Sequence, residues 1–472
     1  MTFDRTFHPD EANQAFTVGR LLETGRYEYR PDDHHGPTLY YAAAAIQKAT
    51  GHNTLATTDG TLLRCTPLLF AVLALVFGFL SIRRLVKPVL GSVAGRLVPG
   101  LFVLLLGTAP VFFFFATDFI QEMLLACFTM MMFWSGIGYL RPGERWKTGT
   151  WAILFGIAAG LVFATKETGL LTFAAAGIAG IPLAWRNRKN LRFELRDVVL
   201  ATAGFALTAI LFYSSFASNW NGVYNAFVAA PLSYLGRATG SAVSQGAADH
   251  VHPWWQYMKW LFASNWKFSA LPLAALFLIT FKSRSFVHIY ALVLFALYSL
   301  IPYKTPWCTL QMILPIALAP FVSIPKRTVA FLALPLAAVS LACNIIGAGA
   351  IAHEPDSRDI PFNYAAASPE VKQLAAAVAE AIDASTNRTP FVAVALPPAD
   401  TWPFPWYNRP YEPQTGYWTS FDDLKHLAEA NVMPEVVIVP MREGHLVQPL
   451  FPHLKHTRRF YMRPGVRVRV FW

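Results

Sequence analysis

Between Arg64 and Ala352 the sequence is a succession of apolar runs, each closed by a short polar or basic stretch, and this pattern restricts the fold more than any motif does. Ten runs are readable, at about residues 64–82, 97–117, 119–140, 151–165, 168–185, 198–216, 269–281, 287–302, 307–324 and 329–352. Coiled into helices, runs approaching ~20 residues match the hydrocarbon thickness of a bilayer. Composition agrees: 54% of the 472 residues are hydrophobic and 14% are charged, whereas a soluble domain carries roughly 25% charged residues. The pattern predicts a polytopic α-helical membrane protein.

A net charge of +11 would suit a nucleic-acid binder if it were clustered, but Lys and Arg fall in short tracts between the apolar runs. If the segment before Arg64 lies outside, alternate loops carry Arg83, Arg84, Lys87 and Arg96, then Arg141, Arg145 and Lys147, then Arg186, Arg188, Lys189, Arg192 and Arg196, then Lys282 and Arg284, then Lys326 and Arg327 to the cytoplasm. Every strongly basic loop then shares one side, as the positive-inside rule requires. No nucleic-acid partner is expected, and the chain is placed in the inner (plasma) membrane as a multi-pass protein. With both ends outside, the first residues need translocation without an apolar signal, so a further helix upstream of this sequence is expected. Cys65, Cys127, Cys308 and Cys343 sit in or beside apolar runs without metal spacing and read as small buried side chains.

Three regions follow. Residues 1–63 form a first extracytoplasmic loop with two interfacial helices, one at 10–24 with Ala15, Phe16, Val18, Leu21 and Leu22 as its apolar stripe and Gly25 as its stop, the other from Pro37 to about Thr50. Residues 64–352 form the membrane domain. Residues 353–472 read as a small extracytoplasmic α/β domain, with strands at 391–396, 436–439 and 466–471 and helices at 369–384 and 421–430. Its Trp402-Pro403-Phe404-Pro405-Trp406-Tyr407 run is expected to be non-helical because of its prolines.

Polar residues gather at the outer ends of the spans. Asp10 and Glu11 lie just before the first one, where a carboxylate can take a proton from a hydroxyl nucleophile; the plainer role is an acidic cap of the helix starting there. Lys166-Glu167 separates two apolar runs, and a charge inside a span costs about 2.5–3.5 kcal/mol, so Lys166 belongs at a surface or in a polar cavity, as a phosphate ligand or as half of an ion pair. Lys304 follows the same logic, with Tyr303 and Trp307 as substrate contacts or as members of the headgroup belt. Asp118 and Glu122 flank a third outer turn; Glu122 lies within a membrane-length run and needs a buried partner. His34, His35, His250 and His252 are candidates for a divalent-metal site or are ordinary loop histidines; no metal ligand set is assigned and the cofactor is unknown. The aromatics from Trp402 to Tyr407 stack on sugar or pack the tail against the membrane face.

His8-Pro9-Asp10-Glu11-Ala12, His35-Gly36-Pro37 with Leu39-Tyr40-Tyr41, Thr165-Lys166-Glu167-Thr168, Pro302-Tyr303-Lys304-Thr305-Pro306-Trp307 and the Trp402–Tyr407 run, taken in order, span nearly the whole chain. Together they resemble the GT-C class of polytopic glycosyltransferases, in the branch of protein O-mannosyltransferases and the lipid A aminoarabinose transferase. The nearest likeness is to bacterial and archaeal dolichyl-phosphate-mannose-protein-mannosyltransferase-like, or flippase-activity-associated, proteins. The resemblance implies a GT-C-like fold with about ten transmembrane helices, one N-terminal helix short, and a hexosyltransferase using a polyprenyl-phosphate sugar. It implies Asp10 as general base with Glu11 beside it, and a glycan, lipid or protein acceptor. The aminoarabinose branch has a Lys before its prolines where this chain has His35, which shifts phosphate binding towards Lys166 and Lys304, with His35 third and Asp118, Glu122, Glu167 and Tyr303 supporting. The alternative is a transporter or flippase accessory for lipid-linked sugars, although no inverted repeat is readable. A third reading is a glycan-binding scaffold centred on the tail.

Overall fold

The computed structural model describes residues 2–31, 35–141, 147–186, 188, 194–238, 250–282, 285–322, 327–364, 366–387 and 389–472. His34 and the basic residues Arg145, Lys189, Arg192, Arg284 and Lys326 lie outside the described residues. In chain order the helices are α1 (Pro9–Thr24), α2 (Thr38–Ala49), α3 (Gly60–Gly107), α4 (Pro110–Phe115), α5 (Glu122–Leu140), α6 (Thr148–Phe163), α7 (Gly169–Arg186) and α8 (Leu195–Tyr213). They continue with α9 (Trp220–Tyr224), α10 (Ala230–Ala238), α11 (Gln256–Phe262), α12 (Leu271–Ile279), α13 (Phe286–Leu300), α14 (Thr309–Val322), α15 (Arg327–His353) and α16 (Glu370–Asp383).

Helix occupies every one of the ten apolar runs, and among the described residues five helical stretches are long and apolar enough to cross a membrane. Their outward faces are apolar: Leu69, Val72 and Val76 on α3, and Leu207 and Leu211 on α8, are exposed. In water this surface would be a liability; against lipid tails it is the expected one. The protein is a polytopic helical membrane protein.

Helix α3 is helical over 48 residues, yet its two limbs, Gly60–Val86 and Arg96–Gly107, lie side by side. Gly107 packs on Leu75, and the Phe102 ring covers Gly78. A straight helix rising ~1.5 Å per residue would hold those pairs tens of ångströms apart, so the chain doubles back and supplies two of the expected runs. Beyond it, α6 and α8 meet through small residues. Gly156 and Gly160 face the Ala201 and Phe205 carbonyls so closely that a side chain at either would collide with backbone, a small-xxx-small contact that anchors the hairpin carrying Lys166 and Glu167.

The first loop is more buried than an interfacial segment. Helix α1 starts with a capping box, in which His8 Nδ1 accepts the Asp10 N–H and Glu11 accepts the His8 N–H, and it ends at Gly25 with φ 69°. Its buried side chains include Glu11 and Gln14, which lie on the same side as the apolar stripe, Glu11 one turn before Ala15 and Gln14 one turn before Val18. The Tyr40 hydroxyl donates to Gln14, and Gln121 Nε2 donates to Gln14 Oε1 at 3.1 Å. The buried face of α1 is thus part polar and part apolar, and hydrophobic spacing reports only the apolar part.

The tail contains a five-stranded sheet in the order β2-β1-β3-β5-β4, from β1 (Val392–Ala395), β2 (Thr415–Trp418), β3 (Val436–Pro440), β4 (Thr457–Arg463) and β5 (Val466–Phe471). β1 runs parallel to β2 and β3, and β5 antiparallel to β3 and β4. Alternate residues of β1 and β3 face opposite sides: Val392, Val394, Val436 and Ile438 pack under α16, whereas Ala393, Ala395, Val437 and Val439 meet Phe421, Leu424, Val447 and Phe451. Coverage on both faces explains why these strands are unbroken apolar runs. The Trp402–Tyr407 run corrects the expectation that it cannot be helical, because Phe404–Tyr407 forms one helical turn. Pro405 sits at its start, where no N–H is needed. The run fixes the tail to the first loop: Trp406 stacks on Phe7 at 5.0 Å, Trp402 meets Phe16 edge-on at 5.7 Å, and the Phe7 N–H donates to the Tyr407 hydroxyl at 2.8 Å.

Candidate active site

Asp10 and Glu11 are adjacent in the first turn of α1 and point to different environments. Glu11 is fully buried, and Arg64 Nε and Nη2 donate to its two oxygens at 3.0 and 2.7 Å. The Phe119 and His8 N–H groups donate to the same carboxylate at 2.9 and 3.0 Å, so the four acceptor sites of Glu11 are taken. Burial alone would raise its pKa, but Arg64 and Arg5 outweigh it and hold Glu11 well below the usual carboxylate range. Arg64 also donates to the carbonyls of Phe3 and Arg5 at 2.8 Å. Glu11, expected beside Asp10 in the chemistry, is thus committed to holding the loop.

Asp10 remains open. About half of its side-chain surface is accessible, and it lines a cleft of about 410 Å³, solvent at the mouth included, with Arg5, Thr6 and His8 from the first loop, Phe114 from α4, Asp118 and Ile120 from the turn before α5, Trp307, and Asp356, Phe362, Asn363 and Tyr364 from the start of the tail. Asp118 accepts from Arg5 Nη2 at 2.5 Å. Burial and the nearby Glu11 charge push the Asp118 carboxyl up, with Arg5 pulling against both.

Behind Trp307 lies Lys166. Its ammonium is 5.7 Å from the centre of the Trp307 ring and is paired with Glu122. Burial works against that charge, and Glu122 more than restores it, so the Lys166 pKa is raised. Glu167, next in the chain, faces the other way. It accepts from the Tyr29 hydroxyl at 2.7 Å and lies 2.9 Å from His35 Nδ1. Burial opposes its charge, but His35 and Tyr29 hold the Glu167 pKa down to about 2. His35 reaches this place because Gly36 lies against the Ala164 carbonyl, where a Cβ would not fit, and because the Thr38 N–H donates to that carbonyl at 3.3 Å.

Lys304 is more remote. Its ammonium donates to the Ile301 carbonyl and sits 5.9 Å from the Tyr257 ring centre; burial lowers its pKa. Tyr303 pairs with Val251 in a short antiparallel bridge and packs on His250 at 4.9 Å. His252 meets Trp260 at 5.3 Å. Among the described residues no group of three His, Cys, Asp or Glu side chains is placed to hold a metal ion, and the four cysteines are free thiols.

The structure therefore brings Asp10, Asp118, Lys166 and Glu122 around Trp307, and sets Glu167 with His35 on the far side of the same hairpin. Arg5, Arg64, Asp356, Asn363 and Tyr364 had carried no signal in the sequence: their partners are distant in the chain, and Arg64 reads as the ordinary charged boundary of a span.

No family model and no characterised relative matches the sequence. Among solved structures, the chain is similar to ArnT from Cupriavidus metallidurans bound to undecaprenyl phosphate, with a TM-score of 0.66 and 14% identity over 100% of this chain and 95% of that one. The apo form of ArnT gives 0.65 and 13% over 99% and 94%. The oligosaccharyltransferase AglB from Archaeoglobus fulgidus, in complex with an inhibitory peptide and a dolichol-phosphate, gives 0.55 and 11% over 93% of this chain and 66% of that one. At such identities the likeness is one of fold, and the fold shared with these proteins is the GT-C fold that the sequence motifs imply.

Proposed function

We propose that the chain transfers a sugar from a polyprenyl-phosphate donor to a hydroxyl acceptor, with inversion, at the outer face of the inner membrane. All ten apolar runs then cross the bilayer, and residues 353–472 stand outside it as a domain. Asp10 takes the proton of the acceptor hydroxyl while its oxygen attacks the anomeric carbon. The bond from that carbon to the phosphate oxygen breaks, and polyprenyl phosphate leaves with the electron pair. Lys166 balances the departing phosphate as a point charge, Lys304 adds positive potential from behind Tyr257, and His35 is a third phosphate ligand on the Glu167 side. A hexose, mannose first, is the sugar to try.

The observation that carries this reading is the position of Trp307: one ring borders the cleft containing Asp10 and also lies 5.7 Å from the Lys166 ammonium. Base and cation are thus neighbours across one aromatic wall. The lipid phosphates bound by ArnT and AglB support a polyprenyl carrier. The test is to incubate purified protein with a panel of polyprenyl-phosphate sugars and assay free polyprenyl phosphate. Release is expected with one of them and is expected to vanish in Asp10→Asn. Transport of labelled donor across vesicles with no bond broken would favour the accessory reading instead.

A further inference from the structure

The cleft beside Asp10 is lined by residues whose polar atoms are not all satisfied among the described residues. Arg5 and Thr6 are 5% and 4% exposed, and both line the cleft. Arg5 Nη1, Thr6 Oγ1 and His8 Nε2 are buried without a hydrogen-bond partner among the described residues. His8 Nδ1 accepts the Asp10 N–H at 3.1 Å, so the neutral ring carries its proton on Nε2 and offers a donor. Three unsatisfied groups converging on one cleft are costly unless something else completes them.

We propose that this cleft is the acceptor subsite and that its occupant is a neutral saccharide; the assignment rests on the transferase reading above. The lining combines the aromatic rings of Trp307, Phe362 and Tyr364 with the donors of Arg5, Thr6 and His8 and the carboxyl groups of Asp10 and Asp356. A sugar ring has the matching pattern, apolar faces edged by hydroxyls that both donate and accept. Asn363 donates through Nδ2 to the Ser357 carbonyl at 3.2 Å, which fixes its amide at the same rim.

Charge argues against an anionic acceptor. Arg64 is neutralised by Glu11, and Arg5 already faces Asp118 at 2.5 Å and Glu11 at 3.6 Å. Beyond these pairs the lining of the cleft adds two more carboxyl groups, Asp10 and Asp356, and no further Lys or Arg, which disfavours a phosphate or a carboxylate.

The test uses the full chain in nanodiscs. Neutral hexose and pentose disaccharides, phosphorylated hexoses and a Ser/Thr-containing peptide are titrated separately, with binding read by saturation-transfer NMR. Undecaprenyl phosphate is titrated in parallel. A neutral disaccharide is expected to bind, and Thr6→Val and Asp356→Asn are each expected to weaken it by about tenfold. A melting curve of each variant, recorded beside its titration, separates lost binding from lost folding. Binding only of the phosphorylated sugar or the peptide, or saccharide binding that neither variant weakens, overturns the proposal. If undecaprenyl phosphate binds and no neutral saccharide does, the subsite assignment fails and the transferase reading stands. If a saccharide binds in a Thr6-dependent way and undecaprenyl phosphate does not, the donor reading fails and the saccharide site stands.

Discussion

Arg64 and Glu11 are 53 residues apart in the chain and meet through hydrogen bonds of 3.0 and 2.7 Å, with neither side chain accessible to solvent. The pair ties the start of α3 to the start of α1, and Asp10 is the residue beside the knot. Two buried charges repay their desolvation only when geometry is good and remaining lone pairs are filled, which the Phe119 and His8 N–H groups achieve here.

Removing one partner should therefore cost more than removing both. Arg64→Met leaves the buried Glu11 without its two guanidinium hydrogen bonds and with Arg5, 3.6 Å away, as its counter-charge, and a loss of about 3–5 kcal/mol is expected. The double variant Arg64→Met with Glu11→Met should recover part of it. Thermal melting of the three variants in one detergent checks the order; a double variant as damaged as the sum of the singles would mean the two side chains do not act as a pair.

Asp10 behaves oppositely, because half of its side-chain surface is accessible and its carboxylate is 3.8 Å from the ring of its near neighbour His8. Asp10→Asn is expected to lower transfer by about 10²–10⁴-fold, the usual contribution of a positioned base, with the melting temperature nearly unchanged. Polyprenyl phosphate release at a fixed donor concentration, measured beside a melting curve, separates this from a folding defect.

These two contrasting roles show where sequence reading stops. Apolar runs locate the helices, since a helix facing lipid must be apolar over its length, and the Lys166-Glu167 dipeptide marks itself by interrupting such a run. Arg64 gives no comparable sign, because a charge at the end of a span is what any span has. Asp10 and Glu11 look alike in one dimension and differ only once Arg64 has folded back onto one of them. In the tail, β1 and β3 announce themselves as apolar runs, whereas β4 carries Arg458, Arg459 and Arg463 on an edge. Basic residues suit an unpaired edge and hide the strand from hydrophobicity.

Glu122 and Lys166 make a second buried pair, with one Glu122 oxygen lacking any hydrogen-bond partner among the described residues. If donor phosphate approaches Lys166, it competes with Glu122 for the same ammonium. Glu122→Gln should then destabilise the empty protein, since Lys166 loses its counter-charge, and undecaprenyl phosphate should restore more stability to this variant than to the wild type. Melting temperatures with and without undecaprenyl phosphate report the difference; an equal shift in both proteins would place the phosphate away from Lys166.

Glu167 links the first loop to the α6–α7 hairpin through His35 and Tyr29, and its pKa is held at about 2 against an ordinary 4.5. A carboxylate whose folded pKa is lowered adds stability that is complete above the unfolded pKa and disappears as pH falls through the folded one. The displacement corresponds to about 3 kcal/mol. Replacing the carboxylate in Glu167→Gln should remove that contribution, so the melting difference between wild type and variant should be wider at about pH 5 than in more acid solution and should close as pH falls from 4.5 towards 2. Glu11, Asp118 and the other acids titrate in both proteins and cancel from the difference, so a gap that widened on acidification would show that the ionised Glu167 does not stabilise the fold.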